Sequence, residues 1–255
     1  MAEIIAIANQ KGGVGKTTTA VNLSASLAVA EKKTLLVDMD PQGNACSGVG
    51  VVTEDLDVTV YDTLHDPLLV KEGIVKTELG FLNILPSTTD LIGAELELVA
   101  ADRREYRLRS VINHVSEDYD YIIIDCPPSL GLLTINSLTA AGSVIVPLQC
   151  EYYAMEGLSQ LMKTIGLVQQ GLNTGLSLRG IVLTMFDRRN NLSHQVSEEV
   201  REHFQEKVFK SVIPRNVRLS EAPSHGAPVL LYDVSSRGAT AYLDLAQEVI
   251  NTRKT

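Results

Sequence analysis

The 255-residue sequence predicts an α/β fold, a single doubly wound, mostly parallel sheet flanked by helices. Three observations predict it. Apolar runs of strand length alternate with segments of helical periodicity, the order that repeated βαβ units require. Several runs are apolar without interruption, as in Tyr121-Ile122-Ile123-Ile124 and Thr34-Leu35-Leu36-Val37, which is expected where helices cover both faces of a sheet. The first run, Ile4-Ile5-Ala6-Ile7-Ala8, leads into the glycine-rich stretch Gln10-Lys11-Gly12-Gly13-Val14-Gly15-Lys16-Thr17-Thr18, with a helical segment behind it.

Taken in order, strands are predicted at 4–8, 34–38, 83–85, 121–125, 144–147, 180–184 and 208–213. Helices are predicted near 17–30, 89–117, 131–141, 154–172, 192–204 and 237–251. No repeat, low-complexity tract or Pro/Gly/Ser linker divides the chain, so 1–255 reads as one domain, long enough to bury a sizeable core. Ligands of such sheets bind outside the carboxyl ends of the strands. There the strands at 4–8, 34–38 and 121–125 carry the glycine-rich loop, Asp38 with Asp40, and Asp125, so three strands bring their distinctive residues to one edge.

Composition narrows the class. No apolar run approaches the length of a membrane span, and the N-terminus lacks a basic region followed by a long apolar stretch, so neither a membrane span nor a secretory signal is expected. Cys46, Cys126 and Cys150 are few, odd in number and without a Cys-x-x-Cys, which points to a reducing, cytoplasmic setting and away from a metal or iron–sulfur centre. The net charge of −9 is unevenly spread. Residues 54–120 hold 15 acidic against 6 basic side chains, whereas 179–218 hold 8 basic against 5 acidic, leaving a modestly basic late region on an acidic chain.

Gly15-Lys16-Thr17 ends a phosphate-binding loop: backbone N–H groups cradle phosphates, Lys16 reaches the β/γ oxygens and the Thr17 hydroxyl meets Mg²⁺. The standard pattern has a glycine five residues before Gly15, where Gln10 stands here, and a second lysine, Lys11, is added. Lys11-Gly12-Gly13-Val14-Gly15-Lys16-Thr17-Thr18 resembles the deviant Walker A loop of the ParA/MinD ATPases. The resemblance extends over nearly the whole chain. Through Val212-Ile213-Pro214-Arg215-Asn216-Val217-Arg218-Leu219-Ser220-Glu221-Ala222-Pro223-Ser224 it points to the short chromosomal ParA, or Soj, subtype, which lacks an N-terminal helix-turn-helix extension.

The resemblance implies ATP and Mg²⁺ as ligands, slow partner-stimulated hydrolysis, and a role for Lys11 across a dimer interface on the partner's phosphates. The logic is that of an arginine finger supplied in trans. It assigns Asp40, in Asp38-Met39-Asp40-Pro41-Gln42-Gly43-Asn44, to orienting the attacking water and organising Mg²⁺. Asp38 reads either as a support of that loop or as part of the magnesium shell. Asp125, ending an apolar strand before Cys126-Pro127-Pro128, looks like a Walker B carboxylate held near Mg²⁺, while Cys126 reads as a packed thiol. Pro214, Asn216 and Met185 are the base contacts. The residues alone allow guanine, the resemblance implies adenine, and Met185 reads equally as core. Glu151 faces the partner's nucleotide by resemblance, or is an acid favoured at a helix N-terminus.

The role implied by resemblance is that of a switch: an ATP-bound homodimer that aligns two late basic regions and binds double-stranded DNA without base readout. A ParB-type centromere-binding partner would stimulate hydrolysis and release the dimer from the nucleoid, segregating chromosome origins or plasmids. Arg189 and Arg218, then Arg188, Arg215, Lys207 and Lys210, are the candidate DNA contacts. Two rivals belong to other classes. A MinD-like membrane switch needs a C-terminal amphipathic helix rich in lysine. Here Ala239, Tyr242, Leu243, Ala246, Val249 and Ile250 form a stripe that reads as core packing, with Arg253 and Lys254 the only late basic residues, so no membrane partner is expected. A metabolic P-loop phosphotransferase would turn over without DNA or partner and dispense with Lys11.

Overall fold

The computed structural model describes residues 1–252; Arg253 and Lys254 lie outside the described residues. Eight strands are present: β1 (Glu3–Ile7), β2 (Thr34–Asp38), β3 (Val75–Lys76), β4 (Leu82–Leu85), β5 (Tyr121–Asp125), β6 (Ser143–Gln149), β7 (Ser177–Phe186) and β8 (Val208–Pro214). They form one sheet in the order β3-β4-β2-β5-β1-β6-β7-β8. All pairings are parallel except β3 with β4, an antiparallel edge too short to leave a sequence signal. Twelve helices accompany them among the described residues: α1 (Lys16–Val29), α2 (Asn44–Gly48), α3 (Val60–His65), α4 (Val70–Gly73), α5 (Leu91–Glu97), α6 (Arg107–Asn113), α7 (Leu132–Ala140), α8 (Ala154–Gly171), α9 (Asn191–Phe204), α10 (Val217–Glu221), α11 (Val229–Tyr232) and α12 (Arg237–Asn251).

The uninterrupted apolar strands are buried on both faces. Every residue of β2 and β5 is buried. Side chains of alternate parity enter two separate cores: Leu35, Val37, Ile122 and Ile124 join the core that includes residues of α3, α6, α7 and α8, while Leu36, Ile123 and Tyr121 join the core that includes residues of α1 and α12. Each fully buried aliphatic of this kind contributes about 1.5–3 kcal/mol. The stripe on α12 belongs to the second core: Ala239, Tyr242, Ala246 and Val249 are buried, Leu243 and Ile250 pack at its margin, and Leu245 joins them.

The long helix predicted over 89–117 is not continuous. It breaks into α5, two 3-10 turns at Leu98–Ala100 and Arg104–Tyr106, and α6. Arg103 sits between the turns at φ 51°, and the Asn136 side chain from α7 accepts from the Leu108 N–H and donates to the Arg104 carbonyl. A tertiary contact therefore takes over backbone groups at the break, which helical periodicity does not reveal.

Near the nucleotide end, Gly50 stands at φ 76° with its α-carbon against the Gly226 turn; a Cβ there meets the Gly226 carbonyl oxygen at 2.6 Å. Gly50→Ala is expected to destabilise the fold by about 2–3 kcal/mol, combining a left-handed backbone with a backbone clash. Thermal denaturation should show a midpoint lower by roughly 5–10 °C.

Candidate nucleotide site and basic face

β1, β2 and β5 are neighbours in register, with Ile7 opposite Asp125 and Asp38 opposite Asp125. The glycine-rich loop and both aspartates therefore emerge at one level of one sheet edge. Gly15, at φ 85°, caps α1 without any side-chain cap, so the first-turn N–H groups of this helix are presented at its open end. The loop is anchored from behind: Asn9 donates to the Pro147 carbonyl and accepts from the Lys11 N–H, and the Thr184 hydroxyl donates to the Val14 carbonyl at 2.8 Å. Asn9 and Thr184 were not singled out from the sequence. A polar residue directly after a buried apolar strand is the signal that could have found Asn9.

The two lysines of the loop point different ways. Lys16 is buried and donates to the Lys11 carbonyl at 3.1 Å. Burial lowers its pKa, opposed by the nearby charges of Asp125, Cys126 and Asp40. Lys11 instead turns outward to the β6–α8 connection, where its Nζ meets the Glu151 carboxylate at 2.5 Å. Gln149 donates to the other Glu151 oxygen. Lys11 and Glu151 are each nearly half exposed.

The carboxylates separate by their partners. Asp38 accepts from the N–H groups of Asp40, Ala45 and Cys46 and from the Cys46 thiol, so it holds the 40–46 loop. Of the two readings left open for Asp38, the structure therefore supports the loop. Burial nevertheless pushes its pKa up to about 6, against those hydrogen bonds. Asp40 is buried at the mouth of that loop, one oxygen fixed by the Gln42 N–H at 3.0 Å. Asp125 is fully buried and neither of its oxygens meets a donor at hydrogen-bonding geometry; the Thr17 hydroxyl is near enough only to pull its pKa down. Burial first, then the charge on Asp38, raise that pKa well above the usual carboxylate range, and Lys16 opposes them. A buried carboxylate with both oxygens open, beside Thr17 and Asp40, suits a hard cation that keeps much of its hydration. Cys126 is a buried thiol with its pKa pushed to about 12, consistent with a packed group.

Raised carboxylate pKa values fix the sign of a pH effect. The folded chain holds protons on Asp38 and Asp125 that the unfolded chain releases, so this contribution to stability is present at low pH and is lost as pH rises through the folded values. In chelator and without nucleotide, Asp125→Asn is expected to melt higher than wild type at pH 8, with the gap narrowing as pH falls and the wild-type carboxyl takes up its proton. Thermal melts from pH 8 downward check it.

A cavity of about 560 Å³ opens beside the loop. Gly15, Thr18, Met185, Pro214, Asn216 and Tyr242 are among its lining residues. Met185, at φ 49°, lines this cavity rather than the core. The Asn216 oxygen accepts from the Arg218 N–H as the cap of α10, leaving its amide N–H₂ for the cavity. Behind it, the Tyr242 hydroxyl hydrogen-bonds Thr19 and so ties α12 to α1.

The six predicted basic residues do not all line one cavity. Arg188, Arg189 and Arg215 line a second cavity, together with Arg237, which sequence reasoning missed. Arg218 lies on α10, paired with Glu221 and Asp233. Lys207 sits in the 3-10 turn before β8, and Lys210 is exposed on β8. Neither of these lysines lines that cavity.

Sheet order and loop geometry define a P-loop nucleotide-binding protein. The AAA domain family matches residues 2–178. The chromosome partitioning protein ParA of Myxococcus xanthus is 60% identical over 247 residues, spanning 97% of this chain and 87% of that protein. The sporulation initiation inhibitor protein Soj of Bacillus subtilis is 61% identical over 249 residues, 98% of each chain. A solved structure described as cobyrinic acid a,c-diamide synthase from Mycobacterium smegmatis, with bound ADP and magnesium, superposes with a TM-score of 0.86 at 39% identity, covering 98% of this chain and 95% of that one. The chain belongs to the ParA/Soj family of chromosome-partitioning proteins.

Proposed function

We propose that this chain is a partition ATPase that works as a switch on DNA, built as one ATPase domain over 1–255. ATP with Mg²⁺ closes two copies into a sandwich dimer, the dimer grips duplex DNA on the nucleoid without sequence preference, and hydrolysis stimulated by a ParB-type partner releases it. Chromosome origins or plasmids are the cargo. The observation that carries this reading is the divergence of the two loop lysines. Lys16 lies inward over its own loop, while Lys11 turns away from it to the half-exposed Glu151 carboxylate, an orientation that suits contact with a second molecule's phosphates. In the ATP-bound state Lys16 and the first-turn N–H groups of α1 hold the phosphates, and Met185, Pro214 and Asn216 take the base. Thr17 and Asp125, with Asp40, hold Mg²⁺, which supplies charge neutralisation at the transferring phosphoryl group. Asp40 orients the water. Glu151, which pairs with Lys11 in the single chain, would face the partner's nucleotide in the dimer.

The burial of the α12 stripe weighs against the membrane-switch rival, and no described helix is long and apolar enough to cross a membrane. The test is binding to labelled random duplex DNA and to anionic vesicles, each with ATP, ADP or no nucleotide. DNA binding only with ATP is the expected result. Vesicle binding with ATP favours the membrane switch, and turnover indifferent to DNA and to loss of Lys11 favours a metabolic phosphotransferase.

A further inference from the structure

Two side chains tie the glycine-rich loop to the neighbouring strand ends. Asn9, shortly after β1, joins the Pro147 carbonyl of β6 to the Lys11 N–H. Thr184, on β7 and only 2% exposed, donates its hydroxyl to the Val14 carbonyl at 2.8 Å, and Val14 is itself buried. The second bond bears on one particular peptide. A trans peptide is planar, with its C=O and N–H directed opposite ways. A held Val14 carbonyl therefore aims the Gly15 N–H away from Thr184, and that N–H finds no acceptor among the described residues. Nothing in Gly15 itself secures this direction. It stands at φ 85°, and a residue without a Cβ takes either sign of φ at little cost. Met185, the next residue after Thr184, lies over the same glycine: a Cβ built there would touch the Met185 methyl at 3.8 Å. Thr184, Met185 and Gly15 all line the cavity of about 560 Å³.

We infer that Thr184 is a positioning residue for phosphate binding: its hydroxyl pins the Val14–Gly15 peptide so that the Gly15 N–H faces the nucleotide phosphates. The inference rests on the reading that seats phosphates on this loop, and it names the group that keeps the loop preorganised. Without the hydroxyl, the buried Val14 carbonyl loses its partner. It relieves that loss by turning over, which the flexible Gly15 permits and which carries the Gly15 N–H away from phosphate. An empty loop tolerates this turn. A bound phosphate must reverse it, so the deficit appears as affinity. Because the N–H would serve substrate and transition state alike, the rate at saturation is spared.

The test is calorimetric binding of ATP and ATP-displaceable binding of inorganic tripolyphosphate, each with Mg²⁺, beside steady-state hydrolysis of ATP. It compares wild type, Thr184→Val, Thr184→Ser and, as a control of the same chemical change, Thr139→Val. Thr139 is buried on α7, its hydroxyl has no partner among the described residues, and it lines a different cavity, beside the start of β1. Thr184→Val should bind both ligands about 5–30-fold more weakly and raise KM by a similar factor. Its kcat should stay within about twofold of wild type. Thr184→Ser and Thr139→Val should match wild type. Thermal melts check folding, and Thr184→Ala takes the same comparison should Thr184→Val not fold. If wild type binds neither ligand, the loop reading falls and this inference with it. If wild type binds and Thr184→Val holds tripolyphosphate as tightly, the inference alone is overturned, and a loss confined to ATP makes Thr184 a contact of the nucleoside. A Thr184→Ser that weakens with Thr184→Val also overturns it, since the methyl and not the hydroxyl then matters.

Discussion

ATP hydrolysis by Asp40→Ala is expected to fall by roughly 10²–10⁴-fold, the range a positioned acid–base group supplies, while binding of ATP with Mg²⁺ survives. Asp40 suits this division of labour because its neighbours already perform the structural work. Asp38 gathers three N–H groups and a thiol and so holds the loop without help from Asp40. Asp125 keeps both of its buried oxygens without a hydrogen-bond donor, as the proposed metal role requires. Asp40 keeps one oxygen on the Gln42 N–H and has the other to place a water. Phosphate release, read beside equilibrium binding of a labelled ATP analogue, separates the outcomes. Loss of binding in step with hydrolysis would move Asp40 from orienting water to holding the metal.

Lys11→Ala is expected to abolish ATP-dependent dimerisation and to lower hydrolysis by about 10³-fold or more, the scale of a cation supplied in trans during phosphoryl transfer. Its own loop makes little use of the side chain, which is partly exposed and engaged with Glu151 on a neighbouring connection. Sedimentation with ATP reads the dimer. A mixing experiment reads the direction of action. Lys11→Ala and Asp40→Ala are each inactive alone, and in a mixed dimer the site of the Lys11→Ala subunit keeps Lys16 and Asp40 while receiving Lys11 from the other chain. Recovery of hydrolysis on mixing is the expected result; a lysine acting within its own subunit gives none.

Much of the fold was legible because the period of the apolar residues reports directly on burial. β2 and β5 follow uninterrupted apolar runs, and their boundaries are those expected. β7 runs beyond its predicted ends, from Ser177 to Phe186, because pairing to β6 continues through residues whose side chains carry no apolar signal. The broken helix around Leu98–Tyr106 was illegible for a related reason, since Asn136, far along the chain, decides it. At the candidate nucleotide site, glycine spacing and strand-ending aspartates singled out the loop, Asp40 and Asp125, and the register of β1, β2 and β5 brings them to one sheet edge. Charge on the late basic region was harder to read. Sequence gives the number of arginines but not which of them pair with a carboxylate, as Arg189 does with Asp187 and Arg218 with Glu221 and Asp233.

Asp38 and Asp125 face each other across β2 and β5, and both are fully buried. Burial of two neighbouring carboxyls out of water disfavours their ionised forms, so a cation and nucleotide bound there would stabilise the folded chain. At a hundredfold excess over its dissociation constant, a ligand that binds only the folded form adds about 2.7 kcal/mol. Nucleotide occupancy would then influence the lifetime of the folded molecule. The nucleotide-free chain would then be the form most open to proteases, and a shortage of nucleotide would shorten the life of the protein.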